Sequence, residues 1–154
     1  MKLLFVCLGN ICRSPLAEAI FKRQVQNKSL AHALHADSCG TSNYHIGDGP
    51  DPRTVRNARV NGVAINHVGR QLTIDDLEAF DLILAMDQSN LANILRLSGA
   101  SEQRHKIKLM REFDPFGPGD VPDPYHGSEA DFQEVFEILD RSVDRMIATL
   151  VVEL

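Results

Sequence analysis

Leu3-Leu4-Phe5-Val6-Cys7-Leu8-Gly9-Asn10-Ile11-Cys12-Arg13-Ser14-Pro15-Leu16 passes from an apolar run, through a polar turn, into a helix start. Residues 3–7 are continuously apolar, the pattern of a strand buried on both faces. Ser14-Pro15 suits an N-cap followed by the first helical position. Leu16, Ala19 and Ile20 then fall at i, i+3, i+4 on one helix face. A buried strand that feeds straight into a helix is the building unit of a parallel sheet.

Strand and helix patterns alternate along the rest of the chain. A second strand is expected near Ala33–Ser38. Pro52 opens a helix through Val55, Ala58 and Arg59 that Asn61-Gly62 stops, and a short strand is expected near Ala64–His67. Thr73-Ile74-Asp75-Asp76 resembles another helix start. Leu82–Met86 is a second buried-strand run, and Asp87-Gln88-Ser89-Asn90 caps a helix carrying Leu91, Ile94 and Leu95. Lys106–Met110 suits an edge strand. Prolines at 115, 118 and 122 make residues 114–125 one long loop. The final helix shows Phe132, Val135, Phe136, Leu139, Val143, Met146, Ile147 and Leu150 on one stripe, with Ser128 as N-cap. The alternation predicts an α/β protein with a parallel sheet and helices on both faces. Ligands bind such sheets beyond the carboxyl ends of the strands.

Composition narrows the function. The 154 residues fit one domain, taken as 1–154, and 44% hydrophobic with 24% charged residues is an ordinary globular balance. Sixteen basic against twenty-one acidic residues give −5, which disfavours nucleic acid as a partner. No apolar run approaches the ~20 residues that span a bilayer, so no membrane insertion is expected. Three cysteines, Cys7, Cys12 and Cys39, with no secretory signal, argue for reduced thiols in the cytoplasm.

The first turn concentrates the chemistry. Its amides converge near a helix N-terminus, where they can bind one anion. Gly9 lets the backbone bend closely and Asn10 tolerates a left-handed conformation. Arg13 offers a planar fork matched to two phosphate oxygens. Cys7 lies where those donors stabilise a thiolate, beneath a cradled phosphate. The spacing of Cys7 and Cys12 is not that of a C-x-x-C redox or zinc pair, and no Walker Gly-Lys-Ser/Thr occurs.

VCLGNICRSPLAEAIF (residues 6–21) resembles the phosphate-binding loop and first helix of the low-molecular-weight protein tyrosine phosphatases. Asp123-Pro124-Tyr125 is similar to that family's acid loop. Ser38 matches a loop-supporting serine, and His67 a structural histidine. Asp87 matches that histidine's carboxylate partner. Tyr44-His45-Ile46-Gly47 and Pro50-Asp51-Pro52-Arg53 resemble the loop that borders the active-site mouth. The resemblance runs through essentially the whole chain. It implies a three-layer, Rossmann-like sandwich around a four-stranded parallel sheet. It also implies hydrolysis of phosphotyrosine and small aryl phosphates through a phosphocysteine. Cys7 would be the nucleophile, Arg13 the phosphate ligand and Asp123 the general acid and base. Leu8, Gly9, Asn10, Ile11, Cys12 and Ser14 would complete the phosphate loop, and Tyr44 and Tyr125 would wall the substrate pocket. Phosphotyrosine proteins would be the partners, with inorganic phosphate or another oxyanion held in the site. No cofactor or metal is expected. His126 stands where some family members carry a second tyrosine.

Two alternatives accompany this reading. Thiol-dependent arsenate reductases share the loop, but their relay needs further cysteines, and none follows Cys39. A non-catalytic phosphate- or phosphotyrosine-binding module would lack Cys7, Arg13 or Asp123, and all are present. Cys12 is either a packing thiol or a reversible disulfide partner for Cys7. His32, His35, His45, His105 and His126 are expected in surface or structural roles.

Overall fold

The computed structural model describes residues 1–97 and 99–154. In chain order the elements are β1 (Lys2–Cys7), α1 (Arg13–Asn27), β2 (His35–Gly40), α2 (Pro52–Val60), α3 (Ile74–Ala79), β3 (Leu82–Ala85), α4 (Gln88–Leu95), β4 (Ile107–Leu109) and α5 (Glu129–Val151), with 3-10 turns at Ala100–Lys106 and Met110–Phe113. The strands pair in the order β2-β1-β3-β4. All three pairings are parallel, with Cys7 opposite Gly40 and Val6 opposite Ala85.

The continuous apolarity of β1 follows from cover on both faces. Leu3, Phe5 and Cys7 join Leu16, Ile20 and Phe21 of α1 and Leu139, Val143 and Ile147 of α5 in one core. Leu4 and Val6 face the other way, towards Leu77 of α3 and Leu91 and Ile94 of α4. Phe5 is fully buried and meets Phe21 edge-on at 5.8 Å. Truncating such a phenylalanine to alanine costs about 3–5 kcal/mol. The result is the expected three-layer α/β sandwich. Because the chain leaves β1 towards β2 on one side and reaches β3 on the other, a crevice opens at the carboxyl end of β1.

Capping chemistry fixes several helix starts as expected. The Asp87 carboxylate accepts the Asn90 N–H at 2.7 Å. Asp76 accepts from Thr73 N–H at 2.8 Å, and Asp131 from Ser128 N–H at 2.7 Å. Two expectations fail. First, α1 begins at Arg13 with Cys12 as its N-cap, because the Ser14 hydroxyl is drawn into the preceding loop instead of capping. Second, Ala64–His67 is not a strand. The nearest ladder contact is a single bridge between Gly40 and Gln71, and the chain is tied instead to residues 45–48 through Gly47 N–H to Gly69 O at 2.9 Å and Gly69 N–H to Asp48 O at 2.8 Å. That detour carries His67 over the β1–α1 loop. Among the described residues no helix is long and apolar enough to cross a membrane.

Candidate active site

The β1–α1 loop sits in the crevice. Cys7, buried at the end of β1, has its sulfur 3.3 Å from the donating Asn10 N–H and 3.0 Å from Ser14 Oγ. Ser14 lies in the first turn of α1 and points back into the loop. Its oxygen accepts from Asn10 Nδ2 at 2.8 Å, so its one proton is left for Cys7 Sγ or, at 3.3 Å, the Cys39 carbonyl. The adjoining strand approaches so closely that a Cβ on Gly40 would lie 2.6 Å from the Leu8 carbonyl oxygen.

Asn10 has φ +58°, a left-handed conformation that costs a non-glycine residue about 1–2 kcal/mol. Its side chain is fully engaged. Nδ2 donates to Ser14 Oγ and, at 3.1 Å, to Ser38 Oγ, while Oδ1 accepts from His67 Nε2 at 2.7 Å and Arg70 N–H at 3.0 Å. Four hydrogen bonds at about 0.5–1.5 kcal/mol each offset that strain. The loop is thus held in shape before any ligand arrives.

Behind Asn10 stands Glu18, buried on α1. Its Oε1 accepts from Ser38 Oγ at 2.7 Å and lies 3.1 Å from His67 Nδ1, and Lys22 pairs with Oε2. Burial alone would raise the Glu18 carboxyl, but hydrogen bonds from His67, Lys22 and Ser38 hold it below its ordinary range. Here the structure corrects one expectation. The carboxylate partner of His67 is Glu18, not Asp87. Asp87, at the N-terminus of α4, takes Arg13 Nη1 at 2.7 Å.

Arg13 is almost fully buried. Its Nη1 hydrogens go to Asp87 and, at 3.0 Å, to the Val121 carbonyl, which leaves the Nε–Nη2 edge for a bidentate oxyanion. Burial acts to lower the guanidinium pKa, but the facing Cys7 sulfur and Asp87 push it the other way, above its ordinary value. Across the cleft Asp123 is half exposed. Its Oδ1 accepts the Tyr125 N–H at 3.1 Å and its Oδ2 lies 3.7 Å from Arg13 Nη2.

The cleft between them has a volume of about 250 Å³, with Leu8, Ile11, Tyr44 and Tyr125 among its lining residues. Arg53, clasped by Asp51 at 2.8 Å, lies 5.3 Å from the Tyr125 ring centroid. His45 and His126 also line the cleft. Cys12 lines it too. Burial pushes its thiol up to about 12, so it is a neutral donor at physiological pH. All three cysteines are free thiols. Glu18, Asp37 and His67 hold donor atoms within 4.8 Å of one another, but Lys22 already pairs with Glu18 and Arg70 with Asp37.

Sequence reading missed Glu18 and Arg70, and it placed Asp51 and Arg53 at the mouth without pairing them. For Glu18 the only signal in the sequence was a carboxylate between Ala17 and Ala19; the structure adds that residues 13–21 of this helix are all buried. Arg70 gave none, since it contributes a main-chain N–H.

Fold and centre together define a class: a doubly wound α/β protein with a cysteine at the base of an oxyanion-binding loop. The chain belongs to the low molecular weight phosphotyrosine protein phosphatase family, whose model matches residues 2–153. It is 42% identical over 135 residues to the low molecular weight phosphotyrosine protein phosphatase of Homo sapiens, covering 87% of this chain and 85% of that one. Its structure is similar to a protein tyrosine phosphatase from Entamoeba histolytica, with TM-score 0.94, 38% identity, and 99% and 98% of the two chains covered. It is also similar to a Drosophila arginine phosphatase, with TM-score 0.87, 33% identity and coverage of 97% and 98%.

Proposed function

We propose that the chain, acting as one domain over residues 1–154, hydrolyses phosphotyrosine in proteins and small aryl phosphates. One observation carries this: Cys7 Sγ, held by Asn10 N–H and Ser14 Oγ, shares a cleft with the free edge of Arg13 and with Asp123. The Cys7 thiolate attacks phosphorus in line with the leaving oxygen. Loop amides and the Arg13 Nε–Nη2 edge stabilise the equatorial oxygens. As the P–O bond breaks, Asp123 gives its proton to the phenolic oxygen. The resulting Asp123 carboxylate then takes a proton from water, which attacks the phosphocysteine and breaks the P–S bond. The Ser14 hydroxyl steadies the departing thiolate, and inorganic phosphate leaves.

Leu8, Ile11, Tyr44 and Tyr125 support an aryl group over phosphoarginine, since apolar walls suit a ring and offer a guanidinium few acceptors. Three free, buried thiols support a reducing, cytoplasmic setting. Turnover of p-nitrophenyl phosphate, a phosphotyrosine peptide and phosphoarginine, measured with and without vanadate and EDTA, tests the reading. Vanadate should inhibit, EDTA should leave the rate unchanged, and the aryl substrates should lead. Preference for phosphoarginine would overturn the substrate assignment.

A further inference from the structure

Asp114, at the start of the loop that leads to Asp123, is a heavily tethered carboxylate outside the cleft. Its side chain is fully buried. Arg141 of α5 donates to it through Nε at 2.8 Å and Nη2 at 3.1 Å, and Arg111 donates through Nε at 2.9 Å. The Phe116 N–H adds a fourth bond at 2.9 Å, and Arg141 lies over the Phe116 ring at 4.5 Å from its centroid. Two arginines therefore close on one buried carboxylate, and none of the three lines the cleft. The hydrogen bonds from these cations hold the Asp114 carboxyl below its ordinary range against the opposing effect of burial.

Arg111 does more than pair with Asp114. Its Nη1 donates to the Asp120 carbonyl at 3.0 Å, so one guanidinium fastens both ends of residues 114–120. The Asp120 carboxylate accepts the Gln88 N–H at 3.1 Å, beside the Asp87 that holds Arg13. The next residue, Val121, bonds to Met86 O through its N–H at 2.8 Å and to Arg13 through its carbonyl at 3.0 Å. Two residues on stands Asp123, whose own tethers are one hydrogen bond from Tyr125 N–H and a 3.7 Å ion pair with Arg13. The acid is exposed and lightly held, and its placement is inherited from the segment before it.

We propose that Asp114, Arg111 and Arg141 are positioning residues for general acid catalysis, setting the place of Asp123 from outside the cleft. The proposal rests on the reading of Asp123 as the acid. A carboxylate misplaced by a fraction of its hydrogen-bond reach protonates a leaving group poorly. The effect should then be seen where that proton matters, with basic leaving groups, and not where the phenolate leaves unaided.

The test uses Arg141→Met, which keeps the stem over Phe116, and Asp114→Asn. It compares kcat/KM for phenyl phosphate and for a dinitrophenyl phosphate, in the wild-type and Asp123→Ala backgrounds, with vanadate affinity and circular dichroism alongside. Arg141→Met should lower kcat/KM about tenfold for phenyl phosphate and less than about twofold for the dinitrophenyl ester. Vanadate affinity should hold, and the loss should vanish in the Asp123→Ala background. Equal loss for both esters, no loss, or full additivity with Asp123→Ala in a folded variant would overturn the proposal. Should Asp114→Asn fail to fold, the Arg141→Met series decides by itself. Should Asp123→Ala itself show no dependence on the leaving group, the acid assignment fails first, and the positioning role with it.

Discussion

The phosphate-binding loop and the acid loop are both irregular, both lie at the carboxyl edge of the sheet, and are held in opposite ways. In the first, the restraints converge on the functional atoms. Asn10 alone binds Ser14, Ser38, His67 and Arg70, while Ser14 and the Asn10 amide reach the Cys7 sulfur directly. In the second, the restraints stop short. Asp114 and Val121 are buried and pinned, whereas Asp123 is half exposed, with one hydrogen bond from an amide and a 3.7 Å ion pair to Arg13. The difference suits two chemical tasks. An oxyanion cradle works through dipoles fixed before the charge develops. A group that gives a proton to a leaving oxygen and then takes one from water must meet two partners, and solvent access serves both steps.

Substitutions can break this contrast in graded steps. The largest effect belongs to Cys7→Ser, which removes the nucleophile but leaves the cradle. Turnover of p-nitrophenyl phosphate should fall below detection while phosphate binding by calorimetry survives, and substantial residual turnover would reject covalent catalysis. Next comes Asp123→Ala, expected to cost about 10²-fold or more in kcat/KM with phenyl phosphate. A loss independent of leaving-group pKa would remove Asp123 from the acid role. Asn10→Ala strikes the convergent loop. It gives up four hydrogen bonds and places alanine in a left-handed conformation. Vanadate affinity should weaken about tenfold, with a stability loss of about 2–4 kcal/mol by urea titration. Unchanged vanadate binding would show that the loop shape does not depend on that network.

The smallest expected effect is on acid stability. Glu18 behind the phosphate loop and Asp114 in the acid loop both have carboxyl groups held below their ordinary range. A lowered folded-state pKa adds stability that is present above the unfolded value of about 4, and is lost as pH falls through the depressed value. Urea midpoints should therefore be insensitive to these groups between about pH 5 and 7 and decline below about pH 4. Glu18→Gln and Asp114→Asn should each flatten that decline. Midpoints in either variant that fall as steeply as wild type would disprove its contribution.

Much of the fold was legible because its signals are local. The apolar runs of β1 and β3, the caps at Asp87 and Ser128, and the long stripe of α5 each answer to neighbours within a few residues. The expected strand at Ala64–His67 failed for the complementary reason: a run becomes a strand only if a neighbour offers a ladder, and here the neighbours' backbone pairs with residues 69–72 instead. At the site, the loop from Cys7 to Ser14 could be read as an anion cradle from spacing alone. The partner of His67 could not, because Glu18 and Asp87 are both carboxylates at helix N-terminal regions, and nothing local distinguishes which one the histidine reaches.

By itself the sequence determined the alternation of strands and helices and the anion-binding turn with its thiol and arginine. These follow from residue type and short-range spacing. The tertiary structure alone decided that Glu18 rather than Asp87 stands behind His67, that Asp87 grips Arg13, and that a carboxylate and two arginines outside the cleft tether the acid loop. Except for Arg111 and Asp114, three residues apart, those pairings join residues tens of positions apart in the chain. Their geometry is set by how α1, α4 and α5 pack on one sheet, and no local pattern encodes it.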